Sequence, residues 1–279
     1  MPSYELEYPK QPFSTVNRYN NRASYSLQQI HQIINAAYFV NVSFHDPTSP
    51  YPVSIPMIGH MGSFERPSAD TGDVLDLYLH GYISSRLLNA SRNTNNTTDE
   101  DDEEDEGLAI TASATHVDGL VLSLAPNSHS YNYRSAALFG RAAPVTDPAE
   151  RLWAMELITN SVVPRRWQAT RQPPTPGEHA STGVLRVRVA AGSAKIRSGP
   201  PADDAADLAD DALRADVWTG VLPVWSALGE ALPAPDNKVE GLPAYIGDFV
   251  RDANDVARET ALEQAARAMK PKKADREED

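Results

Sequence analysis

Residues 128–141 read SHSYNYRSAALFGR. The first half of this segment carries hydroxyls, an amide, an imidazole and a guanidinium, and the second half is an apolar strand. Polar side chains placed directly before a strand are typical of the rim of a pocket that holds a polar, planar molecule. A second basic cluster, SAKIRSGPP, follows at residues 193–201. We expect both clusters to serve one bound ligand.

Segments with a two-residue period surround this stretch. Val40, Val42 and Phe44, for example, alternate with polar residues, which is typical of a half-buried strand. The predicted strands are residues 40–44, 53–57, 75–79, 108–115, 119–124, 134–145 and 184–189, with loops at 117–118 and 125–133. Successive strands without regular intervening helices indicate a small closed or split barrel rather than a parallel sheet.

Helices are predicted around these strands. Ser24 or Ser26 is a candidate cap for a helix over residues 27–37, and Asp147 followed by Pro148 is a typical helix start. The other predicted helices are a short one at 84–90 and a final one at about 244–269. Residues 164–176 are predicted to be an irregular connection, and residues 1–22 an extended arm.

The composition favours a globular protein of mixed class. The chain has 279 residues, of which 41% are hydrophobic and 23% charged, and it has no cysteine. Disulfides, thiolate zinc sites and cysteine nucleophiles are therefore excluded. The predicted fold class is mainly β with peripheral helices. We expect an arm over residues 1–22, a barrel domain over 23–225, and a helical extension with a charged tail over 226–279.

The charge distribution argues against several classes of partner. The net charge is −13, and eight consecutive acidic residues occupy positions 99–106. The low-complexity segment 91–107 is predicted to be disordered, because like charges repel and nothing apolar is available to bury. An acidic chain is a poor ligand for nucleic acid or for anionic membranes. No signal peptide or apolar span is recognisable, so we expect a cytoplasmic protein.

Nine short motifs occur along the chain in a characteristic order. They are YSLQQIHQIINA (25–36), VSIPM (53–57), LYLHG with SRL (77–81, 85–87), THVDGLVL (115–122), residues 128–141, TDP (146–148), VPRRW (163–167), residues 193–201 and WTGVLP (218–223). In this order they resemble the flavin-nucleotide-binding split-barrel proteins related to pyridoxamine 5′-phosphate oxidase. The most similar branch contains the nitroimidazole-resistance reductases. The resemblance covers roughly residues 22–225, and its specificity comes from the order of the motifs.

The resemblance implies a six-stranded, Greek-key split β-barrel that forms a homodimer with two FMN molecules at the interface. It also implies contacts to the cofactor from three parts of the chain: ring contacts from Ile55, Pro56 and Met57, ring-edge or ribityl contacts from His80 and Gly81, and phosphate contacts from Ser85 and Arg86. Further contacts are implied near the polar edge of the ring from Asn132, Tyr133, Arg134 and Ser135, and from Lys195 and Arg197 in a late segment. Many relatives have a second basic residue where this chain has Leu87, and Lys195 or Arg197 is the expected replacement.

Elementary chemistry supports some of these roles and leaves others open. Arg86 at the start of a helix suits a phosphate, because the free N–H groups and the helix dipole favour an anion. Arg134 is suited either to the polar edge of a flavin or to an ion pair with an acid such as Asp118. His129 is a candidate for contacting a substrate, and no catalytic residue is identified. Serine-hydrolase, Walker and zinc motifs are absent.

The function that the resemblance implies is an FMN-dependent oxidoreductase. NAD(P)H or another donor would reduce the flavin, which would then reduce a small acceptor, as in the nitroreductase-like and oxidase-like branches. One alternative is a non-catalytic module that stores or senses flavin or haem. Another is an interaction protein without a cofactor that uses the acidic loop and the final helix.

Overall fold

The computed structural model describes residues 5–95 and 107–268. Its largest element is an eight-stranded sheet. The strands are β1 (Ala23–Ser24), β2 (Val40–Phe44), β3 (Val53–Gly62), β4 (Asp76–Tyr82), β5 (Leu108–Leu122), β6 (Ser130–Pro144), β7 (Thr182–Arg197) and β8 (Gly220–Pro223). The helices are α1 (Leu27–Asn35), α2 (Arg86–Asn95), α3 (Pro148–Val162), α4 (Pro176–Ser181), α5 (Ala205–Ala209), α6 (Asp211–Asp216) and α7 (Ala244–Ala266). None of the helices in the described ranges is long and apolar enough to cross a bilayer.

The strands close into a barrel. They pair in the order β7, β4, β3, β2, β5 and β6, and β6 also pairs with β7, which completes the ring. Two short strands lie outside it, since β1 pairs with β7 and β8 pairs with β5. The pairings of β2 with β3, β3 with β4 and β4 with β7 are antiparallel. The predicted split barrel with peripheral helices is confirmed.

The chain forms two compact units. The first unit contains residues up to 17, residues 23–115 and residues 135–194. The second unit contains residues 18–22, residues 116–134 and the chain from residue 195 onward. The two units are described separately below.

Several local predictions are confirmed because they depend on neighbouring residues. Ser26 caps α1 by accepting a hydrogen bond from the Gln29 amide, at 3.3 Å. Asp147 caps α3 by accepting hydrogen bonds from the amides of Ala149 and Glu150. Local capping is enough to define these helix starts, whatever the rest of the fold does.

Other boundaries were predicted wrongly. The predicted break at residues 117–118 is absent, because β5 continues through Asp118, whose buried carboxylate has an ionic partner within the sheet. The predicted disorder of residues 91–95 is also wrong: α2 continues to Asn95, and the Ser91 hydroxyl in this turn is buried and donates to the Leu88 carbonyl, at 3.0 Å. Residues 96–106 of the acidic segment lie outside the described residues. Helix α4 was missed.

The start of α4 is fixed by a network around Glu178. Thr175 accepts from the Glu178 amide, and the Glu178 carboxylate accepts from the Thr175 amide, at 2.7 Å, so both halves of a capping box are present. Arg171 Nη2 donates to both carboxylate oxygens, at 2.5 and 2.7 Å. The guanidinium and the capping hydrogen bonds lower the pKa of Glu178 to about 2.

The contact between β6 and β7 brings two backbones unusually close at Gly140, within the first unit. A Cβ atom at this position would lie 2.2 Å from the Arg188 carbonyl oxygen and 3.0 Å from its carbonyl carbon. Both of these are backbone atoms, so no side-chain rotation relieves the overlap. Only glycine fits where the ring closes.

We expect Gly140→Ala to lower the free energy of unfolding by at least about 2 kcal/mol, because the added methyl group forces the strands apart. The urea midpoint measures the change. Gly177→Ala in α4 is the matched control, since nothing lies within 4 Å of its Cβ position. The control should stay within about 1 kcal/mol of the wild type, and equal midpoints for all three proteins would contradict the interpretation.

The N-terminal arm is attached to the first unit through a buried histidine. The Tyr8 hydroxyl donates to His31 Nε2, at 2.6 Å, and His31 Nδ1 donates to the Thr71 carbonyl, at 2.9 Å. Both rings are buried, and burial lowers the pKa of His31 to about 4. The imidazole is therefore neutral in the folded protein at neutral pH.

The lowered pKa of His31 predicts acid lability. The folded state favours the neutral ring, so this stabilisation is complete above pH 6.5 and is lost as the pH falls toward 4, up to about 3 kcal/mol. The slope of unfolding free energy against pH reports how many more protons the unfolded state binds than the folded state. His31→Gln should lower this number by about one between pH 4 and pH 6.5. His45→Gln, at an exposed histidine, should leave the slope unchanged. Identical slopes for the wild type and His31→Gln would contradict the lowered pKa of His31.

Candidate functional site

The end of β4 and the turn into α2 bring three predicted site residues together in the first unit. A Cβ atom at Gly81 would lie 3.2 Å from Met57 Cε and 3.6 Å from Ser85 Oγ. The absence of a side chain at Gly81 therefore lets the Met57 thioether and the Ser85 hydroxyl pack close to its backbone. Close approach to a backbone is one of the uses of glycine.

A mixed polar and apolar face of β3 and β4 lies next to this point. Solvent reaches Pro56, Ile58 and His80, while Ile55 is half-buried and Met57 is buried. Ile58 and His80 are directly opposite each other in the pairing of β3 with β4, so they share a face. Desolvation by the surrounding protein lowers the pKa of His80, which favours a neutral ring at neutral pH.

Sequence reasoning missed two members of this face. Ile58 is 39% exposed and Tyr82, at the end of β4, is 65% exposed. Both follow residues that the motifs did contain, and the period of two places Ile58 on the same side as Pro56. Large apolar side chains exposed on a strand beside a histidine suit the flat surface of an aromatic ligand.

Arg86 is held in place at the first turn of α2. Ser85 caps this helix, since its Oγ accepts from the Leu88 amide, at 3.4 Å. Arg86 Nε donates to the Asp46 carboxylate, and the arginine side chain remains 50% exposed. Within the described ranges, its two Nη groups make no further hydrogen bond. The side chain is therefore fixed through Nε and keeps its terminal fork for another anion.

Asp46 and Thr48 form the support for Arg86. Asp46 Oδ1 accepts from the Thr48 amide, at 2.8 Å, and from the Thr48 hydroxyl, at 2.7 Å. These two hydrogen bonds, together with Arg86, lower the pKa of Asp46 to about 2. The carboxylate is charged at any physiological pH. Sequence reasoning gave Asp46 no role, because nothing local connects it with a helix 40 residues later.

Arg134, in the second unit, is engaged by Asp118. Its Nε and Nη2 atoms each donate to one Asp118 oxygen, both at 2.9 Å. The Asp118 side chain is 5% exposed and the Arg134 side chain 22% exposed. This is the ion pair that the sequence offered as one of two roles for Arg134. Its assignment to a cofactor stays a prediction.

Asn132 and Arg197 lie inside the second unit. Arg197 Nη1 donates to the Asn132 side-chain oxygen, and Arg197 Nη2 donates to the Pro200 carbonyl, at 3.2 Å. Asn132 Nδ2 donates in turn to the Gly199 carbonyl, at 3.1 Å. Burial lowers the pKa of Arg197, and the nearby positive charge of Arg22 lowers it further. Both side chains fix the segment after β7.

The remaining predicted residues of this region are more accessible. His129 is exposed, and its Nδ1 donates to the Ala125 carbonyl, at 3.2 Å. Tyr133 and Ser135 are half-buried in β6. Lys195 is half-buried, and its Nζ lies 5.8 Å from the centre of the Tyr19 ring. Tyr19 was not a predicted site residue.

We expect Asp118→Asn to lower the free energy of unfolding by about 2 kcal/mol, because it leaves the largely buried Arg134 charge without its counter-ion. Thermal or urea unfolding measures the loss. Asp248→Asn is the control, since Asp248 pairs with Arg251 at the surface and both side chains are more than half exposed. The control should change stability by less than about 0.5 kcal/mol. Equal losses would show that the burial of the Asp118 pair is energetically unimportant.

The sequence profile of the pyridoxamine 5′-phosphate oxidase family matches residues 26–196, which is more than half of the chain. This chain belongs to the pyridoxamine 5′-phosphate oxidase family. The resemblance inferred from the ordered motifs is therefore confirmed. No curated protein gives a significant match to the sequence.

Solved structures give a second comparison for this family member. The flavocytochrome Anf3 from Azotobacter vinelandii has a TM-score of 0.66 at 25% identity, over 86% of this chain and 97% of its own. A FAD- and haem-binding protein from Mycobacterium smegmatis has a TM-score of 0.64 at 26% identity, over 82% and 97% of the two chains. A candidate 5-nitroimidazole antibiotic resistance protein from Bacteroides thetaiotaomicron has a TM-score of 0.45 at 18% identity, over 62% and 86%. The last similarity is too low to support an argument.

Proposed function

We propose that this protein is a flavin-dependent oxidoreductase that holds the flavin phosphate at Ser85 and Arg86. The observation that carries the proposal is the position of Arg86. It stands at the first turn of a ten-residue helix, is anchored through Nε by Asp46, and presents its Nη groups outward. A phosphate there meets a guanidinium fork and the positive end of a helix dipole. Membership of the pyridoxamine 5′-phosphate oxidase family supports the same assignment.

The neighbouring face of β3 and β4 suits the ring system. Pro56 and Ile58 offer an apolar surface, and Gly81 packs against Met57 and Ser85 where β4 leads into α2. A neutral His80 is able to donate or accept one hydrogen bond at the ring edge. The residues present therefore fit a flavin nucleotide of which one end is apolar and planar and the other is a phosphate.

The protein's own contribution is binding and orientation. When bound, the flavin supplies electron transfer between a reduced donor such as NAD(P)H and a small acceptor. Arg86 neutralises the phosphate, while Pro56 and Ile58 exclude water from the ring surface that they cover. The low pKa of Asp46 keeps Arg86 anchored over the whole physiological range. The acceptor is proposed to reach the ring surface that these strands leave open.

A second candidate function is a carrier or sensor of flavin and haem together. It is favoured by the two solved structures with TM-scores of 0.66 and 0.64, which are a flavocytochrome and a FAD- and haem-binding protein. The flavin is then FAD or FMN, and haem is an additional group. An absorption spectrum of the purified protein distinguishes the cofactors, because haem adds a Soret band to the flavin bands. Turnover of NAD(P)H with an electron acceptor separates an enzyme from a carrier.

We further propose that the protein functions as a cytoplasmic homodimer. Large apolar side chains are exposed in both units, among them Tyr82 and Trp218, at 65% and 63% exposure. A second copy is the natural partner for such surfaces, since soluble proteins rarely leave extended apolar patches uncovered. Molar mass in solution tests this part of the proposal.

The phosphate assignment predicts a loss of flavin affinity in Arg86→Gln. We expect the Kd for FMN to rise at least about 30-fold, equivalent to about 2 kcal/mol, because a charge-assisted fork is removed. Quenching of flavin fluorescence measures the Kd. Asp46→Asn should give a smaller rise, because it keeps the Arg86 charge and removes only its anchor.

The matched control is Arg92→Gln in the same helix. Arg92 Nη1 donates only weakly to Asn89 Oδ1, at 3.4 Å, and it lies two turns beyond the helix start. FMN affinity should be unchanged in this variant. If Arg86→Gln and Arg92→Gln bind FMN with the same Kd as the wild type, the phosphate does not lie at Arg86.

A further inference from the structure

A cluster of cations surrounds Tyr19 in the second unit. The guanidinium carbons of Arg18 and Arg22 lie 5.0 and 4.3 Å from the centre of the Tyr19 ring, and Lys195 Nζ lies 5.8 Å from it. Three positive charges therefore surround one ring, each within 6 Å of its centre. Like charges grouped around one ring repel one another, although salt screens part of this repulsion.

The described part of the chain does not neutralise the arginines of this cluster with ion pairs. No carboxylate of the described residues forms a salt bridge with Arg18 or Arg22. Arg197 adds a fourth cation from the interior, where Asn132 and the carbonyls of Gly199 and Pro200 accept its hydrogen bonds. All three acceptors are uncharged. In a chain of net charge −13, such a concentration of positive charge requires an explanation.

The backbone at the centre of the cluster is strained. Tyr19 has a φ of 56°, in the left-handed region that residues with a Cβ rarely adopt. The next three residues, Asn20–Arg22, form a 3-10 turn, and the Arg22 amide donates to the Tyr19 carbonyl, at 3.0 Å. This turn brings the guanidinium groups of Arg18 and Arg22 next to the same Tyr19 side chain. Strain that is retained together with repelling charges is typical of a functional site.

We propose that Arg18, Arg22 and Lys195, grouped around Tyr19, bind the pyrophosphate of an adenine dinucleotide. A pyrophosphate carries at least two negative charges and several acceptor oxygens, which matches two guanidinium forks and an ammonium group. A monovalent carboxylate would leave most of the charge unbalanced. An extended polyanion such as nucleic acid would be repelled by the acidic remainder of the chain.

This site is separate from the proposed FMN phosphate site at Arg86. It rests on the proposed function in one respect, because that function identifies the molecule that supplies the ligand. The ADP moiety is common to FAD and to the nicotinamide dinucleotides. In FAD the flavin phosphate is itself half of the pyrophosphate, so with the flavin phosphate at Arg86 the electron donor supplies the pyrophosphate of this second site. ADP alone is therefore the appropriate probe for the site. FMN lacks this moiety and reports on the Arg86 site independently.

The test is calorimetric titration of ADP into the full-length protein and into the double variant Arg18→Gln/Arg22→Gln. We expect the variant to bind ADP at least tenfold more weakly, with an unchanged Kd for FMN. The fold should be retained, because the substitutions remove like charges that repel each other. The far-UV circular dichroism spectrum checks this point.

The matched control is Arg214→Gln/Arg251→Gln, which removes the same charge from exposed helices of the second unit. ADP affinity in the control should stay within twofold of the wild type. The proposal is overturned if the wild type does not bind ADP, or if both double variants lose the same affinity. An unchanged ADP affinity in Arg18→Gln/Arg22→Gln would also overturn it.

Two further titrations identify the source of the ADP moiety. A loss of FAD affinity in Arg18→Gln/Arg22→Gln, together with an unchanged FMN affinity in Arg86→Gln, assigns the site to the cofactor and removes the flavin phosphate from Arg86. A rise in the KM for NADH or NADPH, with FAD affinity unchanged, assigns it to the donor. If Arg86→Gln fails to weaken FMN binding while the ADP results hold, the phosphate assignment at Arg86 is wrong and the pyrophosphate site stands.

Discussion

The closure of the barrel depends on the approach of two backbones at Gly140. Without a Cβ atom at this position, β6 reaches β7 and the ring of strands becomes continuous. A closed ring has no unpaired strand edges, which would otherwise present free N–H and C=O groups to other chains. Closure also fixes the positions of β3 and β4, because both are paired on each side. The proposed flavin surface on these strands is therefore built on a rigid support.

Three of the arginines that the sequence offered as cofactor contacts are used in physically different ways. Arg134 is neutralised by Asp118 and stabilises the fold as half of an ion pair. Arg197 is buried among uncharged acceptors, where it keeps its charge at a cost in desolvation. Arg86 is anchored by one atom and exposes the rest of its guanidinium. Of these three arginines, only Arg86 keeps hydrogen-bond donors available for a ligand. The partners of each side chain are therefore a better guide to its role than its position in a motif.

The fold was predictable from the sequence because its signals are local or periodic. The capping of α1 by Ser26 and the alternation in β2 need only neighbouring residues. The Ser85–Arg86 pair was likewise visible at a helix start. Its support from Asp46 was not, because that contact joins residues 40 positions apart. The cluster of cations around Tyr19 was not predicted for the same reason. Lys195 comes from β7, far from Tyr19 in the sequence, and residues 1–22 carry no periodic signal. The features that the sequence predicted depend on neighbouring residues, whereas the features that were missed depend on contacts between residues far apart in the sequence.

Two hydrogen-bond networks of the first unit, around His31 and around Glu178, titrate in different pH ranges. His31 takes up a proton near pH 4, whereas Glu178 remains ionised until about pH 2. Progressive acidification therefore disrupts the hydrogen bond from Tyr8 to His31 while Arg171 still pairs with Glu178 at the start of α4. The arm keeps its backbone hydrogen bonds, such as that from the Tyr8 amide to the Tyr25 carbonyl, at 2.8 Å. The attachment of the leading segment therefore weakens at a higher pH than the start of α4 does.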